Sequence, residues 1–296
     1  MDIINFGNIL LQNVENNLGD GACVKFQEIV KNNGVVYHTL VIREEGSNIS
    51  PSIYIDDFFN MYKAGESFDS ITDMVVSLYR ESSAGIGLDM DFFRNFDEVK
   101  GHLSYKLAMA GPNMDRLRSV PVRAFADLVM IPICILNIKD KEQGSIMITT
   151  EHLDMWGISK EELWDSVMRN TVKTFPASVK SINEYLEPDM FDCPELLKNI
   201  YVVTTQSGYQ GAGAVLYPGV LDELACINDS DLYIIPASVH EMLVVPAGSC
   251  SIPPRYLRSM IGEVNSSVVR DEEVLSHSLY SYSYPEGELK ICDCEN

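Results

Sequence analysis

The chain has 296 residues, of which 46% are apolar and 22% are charged. These values are typical of a folded globular protein and exclude wholesale disorder. Acidic residues outnumber basic residues by 43 to 22, which gives a formal net charge of −21. Because such a surface repels phosphate backbones, we expect no nucleic-acid partner. The expected partner is a protein or a small molecule.

The sequence shows no sign of a membrane span, a signal peptide or a metal site. No apolar stretch approaches the ~18–20 residues that cross a bilayer, and residues 1–6 lack the basic and long apolar segments of a signal peptide. The seven cysteines are irregularly spaced, and Cys292 and Cys294 alone do not complete a zinc site. We therefore predict a cytoplasmic protein with reduced thiols, no bound metal and no other cofactor.

The N-terminal portion is predicted to combine helices with a β-hairpin. Apolar residues at helical spacing predict a helix over residues 6–18. Residues 22–30 and 35–42 are predicted as two strands around the turn 32–34, whose asparagines and glycine tolerate positive φ. The remaining predicted elements of this portion are a strand at 52–55 and helices at 56–64 and 68–79. We place a domain boundary in the irregular stretch that ends at residue 118, which gives an N-terminal α/β portion, 1–118, and a C-terminal α+β domain, 119–296.

The C-terminal portion mixes strands, turns and helices. Ser159 with Glu162 has the form of a capping box and predicts a helix that ends before Pro176. The strand–turn–strand–helix order predicted for 133–156 matches that predicted for 201–224, which suggests a repeated β-hairpin–helix unit; chance convergence of two common motifs is the alternative. The other predictions are an apolar run at 121–138, a strand at 145–149, strands at 200–205 and 212–217, a helix at 218–226 that starts at Pro218, a helix at 254–268 and a hairpin of 276–284 with 288–292. This pattern favours an α+β fold with mainly antiparallel sheets and packed helices.

The densest polar cluster lies between two apolar runs, where Ser238, His240 and Glu241 form a short insert. A nucleophile, a base and an orienting carboxylate of these types would make a hydrolase site. However, the second histidine of an H-E-x-x-H motif is absent, since position 244 is Val, and there is no G-x-S-x-G elbow. Strand alternation would place Ser238 and His240 on one face and Glu241 on the other. The structural interpretation is a turn that fastens two core strands by side-chain hydrogen bonds.

A second, weaker candidate is the glycine-rich segment around Gly208, Tyr209 and Gly211. Glycine-rich loops before helices bind phosphate groups, so these residues are candidate ligand-binding residues. The segment lacks the Gly-Lys-Ser/Thr ending of a P-loop and does not match G-x-G-x-x-G. A hairpin turn that leads into a close-packed strand is the simpler interpretation.

Three stretches carry a family resemblance: residues 148–158, residues 201–205 and residues 231–241. They resemble an uncharacterised family of bacterial domains of unknown function, abundant in gut Firmicutes, and are more distantly similar to the YtpQ-like proteins of bacilli. The resemblance covers roughly residues 120–292. That family usually has Pro-Ser-Ser before its His-Glu loop, whereas position 237 is Ala here, and this difference weakens a shared catalytic role. The resemblance implies a bacterial source and no particular activity.

Taken together, these features predict a soluble, acidic, cytoplasmic bacterial protein. The function that we expect is that of a binding or regulatory module for a protein or a small ligand. The alternative is a hydrolase-like enzyme with its site at Ser238, His240 and Glu241.

Overall fold

The structure is a computed structural model and describes residues 1–19, 21–44, 50–83, 91–139, 142–185 and 199–294. The chain divides into two compact units. The first comprises Met1–Asp91 together with Asn137–Gln143, and the second comprises Phe92–Leu136 and Gly144–Asn296. The boundary predicted at residue 118 separates two domains, which is a different claim from a division into compact units. That boundary therefore stays a prediction.

The first unit is a three-stranded antiparallel sheet with helices packed against it. Its elements are α1 (Ile3–Leu18), β1 (Ala22–Val30), β2 (Val36–Glu44), β3 (Ser52–Tyr54), α2 (Asp56–Lys63) and α3 (Phe68–Ser83). The sheet order is β1–β2–β3, and Asn33 takes φ 59° in the β1–β2 turn, a conformation that asparagine tolerates. Phe6, Leu10 and Val14 recur along one face of α1 and are fully buried in the core of this unit.

The second unit begins with a four-stranded sheet. Its first elements are α4 (Phe96–Val99), β4 (Leu103–Met109), α5 (Ala110–Asn113), β5 (Arg123–Phe125), β6 (Leu128–Lys139) and β7 (Glu142–Met147). The end of β6 and the start of β7 fall within Asn137–Gln143, which belongs to the first unit. The order is β4–β6–β5, with β7 also paired to β6. Residues 128–136 of β6 are all buried, so both faces of this strand are covered. That burial explains why the strand is a continuous apolar run rather than an alternating one.

Two helices follow this sheet, α6 (Thr150–Trp156) and α7 (Lys160–Thr174). Ser159 caps α7, since its hydroxyl oxygen accepts the backbone N–H of Glu162 at 3.1 Å. Helix α7 packs against β4 and buries Trp164 completely. The indole N–H of Trp164 donates to the Pro121 carbonyl at 2.7 Å, so the buried donor is satisfied.

The remainder of the second unit is a six-stranded antiparallel sheet with the order β13–β12–β10–β11–β9–β8. Its elements are β8 (Ala177–Ser181), α8 (Ile182–Tyr185), β9 (Tyr201–Thr205), α9 (Val220–Asn228), β10 (Leu232–Ser238), β11 (Glu241–Pro246), α10 (Pro254–Ser267), β12 (Tyr280–Ser283) and β13 (Glu288–Ile291). Strands β10 and β11 form its centre. Helix α10 packs on β10, and its Leu257 and Ile261 enter a core with Leu279.

One carboxylate connects the two sheets of the second unit. Asp127 lies in the turn between β5 and β6 and accepts hydrogen bonds from the hydroxyls of Ser276 at 2.7 Å, Ser278 at 3.0 Å and Tyr280 at 2.6 Å. Burial and the hydrogen bond to Asp127 both raise the pKa of the Tyr280 phenol well above its ordinary value. The phenol therefore stays protonated and serves as a donor to the carboxylate.

The α+β fold with antiparallel sheets is confirmed, and three local predictions differ from the structure. The returning strand predicted at 212–217 is replaced by a 3₁₀ helix, Gly211–Leu216. Helix α9 begins at Val220 and not at Pro218, because Gly219 has φ 86° and cannot belong to a helix. The apolar run at 121–138 is divided into β5 and β6 by the turn at Asp127. The second copy of the suggested repeat contains strand β9 and helix α9, but a 3₁₀ helix stands where its hairpin was predicted to return.

We predict that Asp127→Asn lowers the free energy of unfolding by about 2–4 kcal/mol, because an amide replaces a charged acceptor of three hydroxyl donors. Urea denaturation followed by circular dichroism measures this change. The matched control is Asp115→Asn, whose side chain is 90% exposed and pairs with Arg118 on the surface. The control is expected to stay within about 0.5 kcal/mol of the wild type. Equal effects of the two substitutions would contradict a central role for Asp127.

Candidate functional site

The polar insert lies in the tight turn between β10 and β11. Ser238 pairs with Glu241 across the hairpin, so Val239 and His240 are the two turn residues. The register shifts between Pro236 and Ser238, as in a β-bulge, and a bulge changes the direction of the neighbouring side chains. The strand alternation used for the sequence prediction therefore does not extend through this turn.

Both ring nitrogens of His240 face protein groups. Nδ1 accepts the backbone N–H of Gln210 at 3.1 Å, and Nε2 lies 3.7 Å from a carboxylate oxygen of Glu273. The ring also packs against Tyr209, with 5.7 Å between ring centroids. Because Nδ1 is an acceptor, the neutral ring carries its proton on Nε2, the nitrogen nearer to Glu273. In this arrangement neither nitrogen has a lone pair available to remove a proton from a substrate.

Ser238 contacts the backbone of His240. Its hydroxyl oxygen accepts the His240 N–H at 3.0 Å, and the hydroxyl of Thr204 donates to the His240 carbonyl at 2.7 Å. Among the contacts of the described residues, no hydrogen bond joins the Ser238 hydroxyl to the His240 ring. Glu241 is half-buried at the start of β11. The structure thus brings the three predicted residues into one turn, and the contacts given above fasten that turn to its neighbours.

The glycine-rich segment packs against the same turn. Gly208 and Gln210 have positive φ angles of 71° and 52°, and Tyr209 is 54% exposed. Gly211 is buried, and a Cβ at this position would lie 2.6 Å from the Thr205 nitrogen and 2.7 Å from the His240 carbonyl oxygen. Close backbone packing is therefore the reason for glycine at position 211.

A cavity of about 240 Å³ lies elsewhere in the second unit, between the central strands of the large sheet and α10. Its lining is mainly apolar and includes Ile235, Leu243, Val245, Leu257, Ile261 and Val264. No charged side chain is among the described lining residues. An apolar cavity of this size is a place where a small molecule gains free energy by leaving water.

The cavity and the predicted residues adjoin without coinciding. Ala237 belongs to the lining, but Ser238, His240 and Glu241, which follow it, do not. The lining also does not include Gly208, Tyr209 or Gly211. The cavity is therefore a separate candidate site, which the sequence analysis did not identify.

The sequence of α10 contains a pattern that could have indicated the cavity. Leu257 and Ile261 form a buried row, whereas Met260 and Val264 form a parallel apolar row that is 49% and 44% exposed. Two adjacent apolar rows are wider than the face that packs on the sheet. The second row could therefore have indicated an apolar space beside the helix.

The buried polar residue of the lining is Asn265, on α10. Its amide nitrogen donates to the Ser276 carbonyl at 2.9 Å and lies 3.3 Å from Nδ1 of His277. Asn199, Ser249 and Ser251 also line the cavity, but they are exposed. Asn265 is therefore the buried polar side chain of the described lining, and its amide nitrogen is held in place by Ser276.

Three findings concern other kinds of site. Within the described ranges, no three His, Cys, Asp or Glu side chains are grouped so that they could hold a metal ion. In the same ranges, no helix is both long enough and apolar enough to cross a bilayer. Burial raises the pKa of the Cys134 thiol to about 12, so this thiol stays protonated at neutral pH.

Comparison with known proteins gives a family and no close relative of known activity. A model described as Family of unknown function (DUF5688) matches residues 3–284, which is nearly the whole chain. No curated protein and no solved structure matches the chain. The description of the family names no ligand or reaction, so a proposal about function has to come from the geometry.

We predict that Gly211→Ala lowers the free energy of unfolding by about 3 kcal/mol, because the added methyl group overlaps the backbone of β9 and of the turn. A urea titration of both the variant and the wild type measures the loss. The matched control is Gly262→Ala in the interior of α10, where a Cβ would meet no atom within 4 Å. That substitution is expected to stabilise the protein by about 0.5–1 kcal/mol through helix propensity. A Gly211→Ala protein as stable as the wild type would show that the loop does not require this close approach.

Proposed function

We propose that this chain, which belongs to the family DUF5688, is a binding module that holds a compact, mainly apolar small molecule in the cavity beside α10. The observation that carries the proposal is the cavity itself, which has an apolar lining and no charged side chain among its described residues. The molecule would lie between β10, β11 and α10.

The cavity volume limits the size of the ligand. A dry apolar cavity of about 150 Å³ accommodates benzene, so a volume of about 240 Å³ suits a substituted benzene ring of about eight heavy atoms. If each buried carbon contributes about 0.5–0.8 kcal/mol, the dissociation constant is on the order of 10⁻⁴ M. Such an affinity is appropriate for sensing or carrying a molecule that is abundant in the cell.

The hydrolase alternative has less support from the geometry. His240 uses Nδ1 to accept the Gln210 N–H, its Nε2 lies 3.7 Å from Glu273, and among the described contacts Ser238 meets only its backbone, so the ring is not placed as a base for Ser238. No described contact favours hydrolysis over the structural interpretation of this turn. The hydrolase hypothesis accordingly stays an alternative prediction, and binding in the cavity is the function that we propose.

The proposal includes a reducing, cytoplasmic setting. It is supported by the free thiols of the described cysteines, Cys23, Cys134, Cys226, Cys250, Cys292 and Cys294. The bacterial source and the similarity to the YtpQ-like proteins stay predictions.

The test is a titration with p-xylene, an apolar probe of eight heavy atoms, followed in ¹³C-methyl NMR spectra of labelled Ile, Leu and Val. We expect saturable shifts at Ile235, Leu243 and Ile261. At a probe concentration ten times the dissociation constant, the gain in stability is about 1.4 kcal/mol, which raises Tm by about 3–5 °C. Methyl groups that do not shift at the solubility limit of the probe would overturn the proposal.

A cavity-filling variant gives an independent prediction. We expect Leu243→Trp to weaken p-xylene binding by more than tenfold, with Tm within about 4 °C of the wild type, because the larger ring occupies empty space. The matched control is Leu107→Trp on β4, where the leucine is 1% exposed in a closely packed core. The control is expected to lose at least about 3 kcal/mol through overpacking. Equal destabilisation by the two substitutions would show that the space around Leu243 is not available to a ligand.

A further inference from the structure

We infer that the ligand of this cavity is neutral and carries one hydrogen-bond donor, a hydroxyl in the simplest case, which binds the side-chain oxygen Oδ1 of Asn265. The inference rests on the proposed binding function and adds the chemical class of the ligand: a compact phenol or alcohol.

The first observation is an acceptor without a protein partner. Asn265 is only 4% exposed and lines the cavity. The described hydrogen bonds of its side chain all involve the amide nitrogen, which faces Ser276 and His277. Among the described residues, no side-chain nitrogen or oxygen that is fully enclosed lacks a hydrogen-bond partner. Oδ1 of Asn265 is therefore not fully enclosed, and the space beside this residue is the cavity.

The second observation is that the orientation of Asn265 is fixed. The Ser276 carbonyl accepts the amide nitrogen, while the Ser276 hydroxyl donates to Asp127 and accepts the backbone N–H of Ser278 at 2.8 Å. Rotation of the amide by 180° would place Oδ1 against the Ser276 carbonyl, and two acceptors repel each other. The network that begins at Asp127 therefore holds Oδ1 in position before any ligand arrives, which reduces the ordering cost of binding.

The third observation concerns charge. The described lining contains no Lys, Arg, His, Asp or Glu, so an ionised ligand would lose its hydration without gaining a counter-charge. A carboxylate or phosphate would also face an acceptor oxygen at Asn265. A neutral hydroxyl satisfies Oδ1, and its hydrocarbon part covers the apolar lining. A fully apolar ligand would leave Oδ1 without a partner, which carries a penalty of its own.

The experiment compares p-cresol with p-xylene, since the two molecules have nearly the same shape and differ by a hydroxyl in place of a methyl group. Both are titrated into the full chain and followed by ¹³C-methyl NMR. We expect the wild type to bind p-cresol at least as tightly as p-xylene. In a cavity without an acceptor, the buried hydroxyl would weaken p-cresol about tenfold or more relative to p-xylene.

The variant Asn265→Leu removes Oδ1 and keeps the side-chain size. We expect the ratio of the two dissociation constants to shift about tenfold against p-cresol, with p-xylene binding largely retained. The matched control is Val264→Ala, at a half-exposed neighbour in the lining. In that variant both probes should weaken together, with their ratio unchanged.

The outcomes separate the two proposals. If neither probe shifts the lining methyl groups of the wild type, the proposed binding function fails, and this inference fails with it. If both probes bind and the wild type disfavours p-cresol by tenfold or more, binding stands and the role of Asn265 is overturned. The role of Asn265 is also overturned if the ratio of the p-cresol and p-xylene dissociation constants is the same in Asn265→Leu as in the wild type. Should that variant fail to fold, the wild-type ratio alone decides.

Discussion

The second unit depends on a single half-buried arrangement, the Asp127 carboxylate with three hydroxyl donors. Ser276 and Tyr280, two of these donors, lie 149 and 153 residues away in the sequence and are almost fully buried. Asp127 is in the β5–β6 turn, whereas Tyr280 begins β12 of the large sheet. The carboxylate therefore fixes the position of one sheet against the other. Hydrogen bonds to a charged, partly buried acceptor are strong enough to serve this purpose.

The same arrangement determines the geometry of the cavity. Ser276, held by Asp127, presents its carbonyl to Asn265 and so ties α10 to the segment before β12. Leu257 and Ile261 pack into the core from that helix, while the neighbouring row with Met260 and Val264 stays half-exposed. The cavity lies along this helix, and its lining includes residues of both rows together with Asn265.

Elements with local signals were predictable from the sequence, and contacts between distant residues were not. The β1–β2 hairpin and the Ser159 cap follow from residues within a few positions of each other. Gly211–Leu216 is a 3₁₀ helix because Gly211 approaches β9 and the His240 turn, and no local preference encodes that approach. The polar cluster at Ser238 and His240 was found, but the contacts of the ring with Gln210 and Glu273 could only be seen in three dimensions.

His240 and Asn265 show why the conspicuous polar residue is the weaker candidate. His240 belongs to the densest polar stretch in the sequence, yet both of its ring nitrogens face protein groups. Asn265 belongs to no motif, yet it lines an apolar cavity, its amide nitrogen is fixed, and its oxygen has no described partner. Recognition of a ligand requires hydrogen-bonding groups that the fold leaves unpaired and holds in place. By that criterion, Asn265 is the polar group that we propose for ligand recognition, and His240 is the weaker candidate because its ring nitrogens already face Gln210 and Glu273.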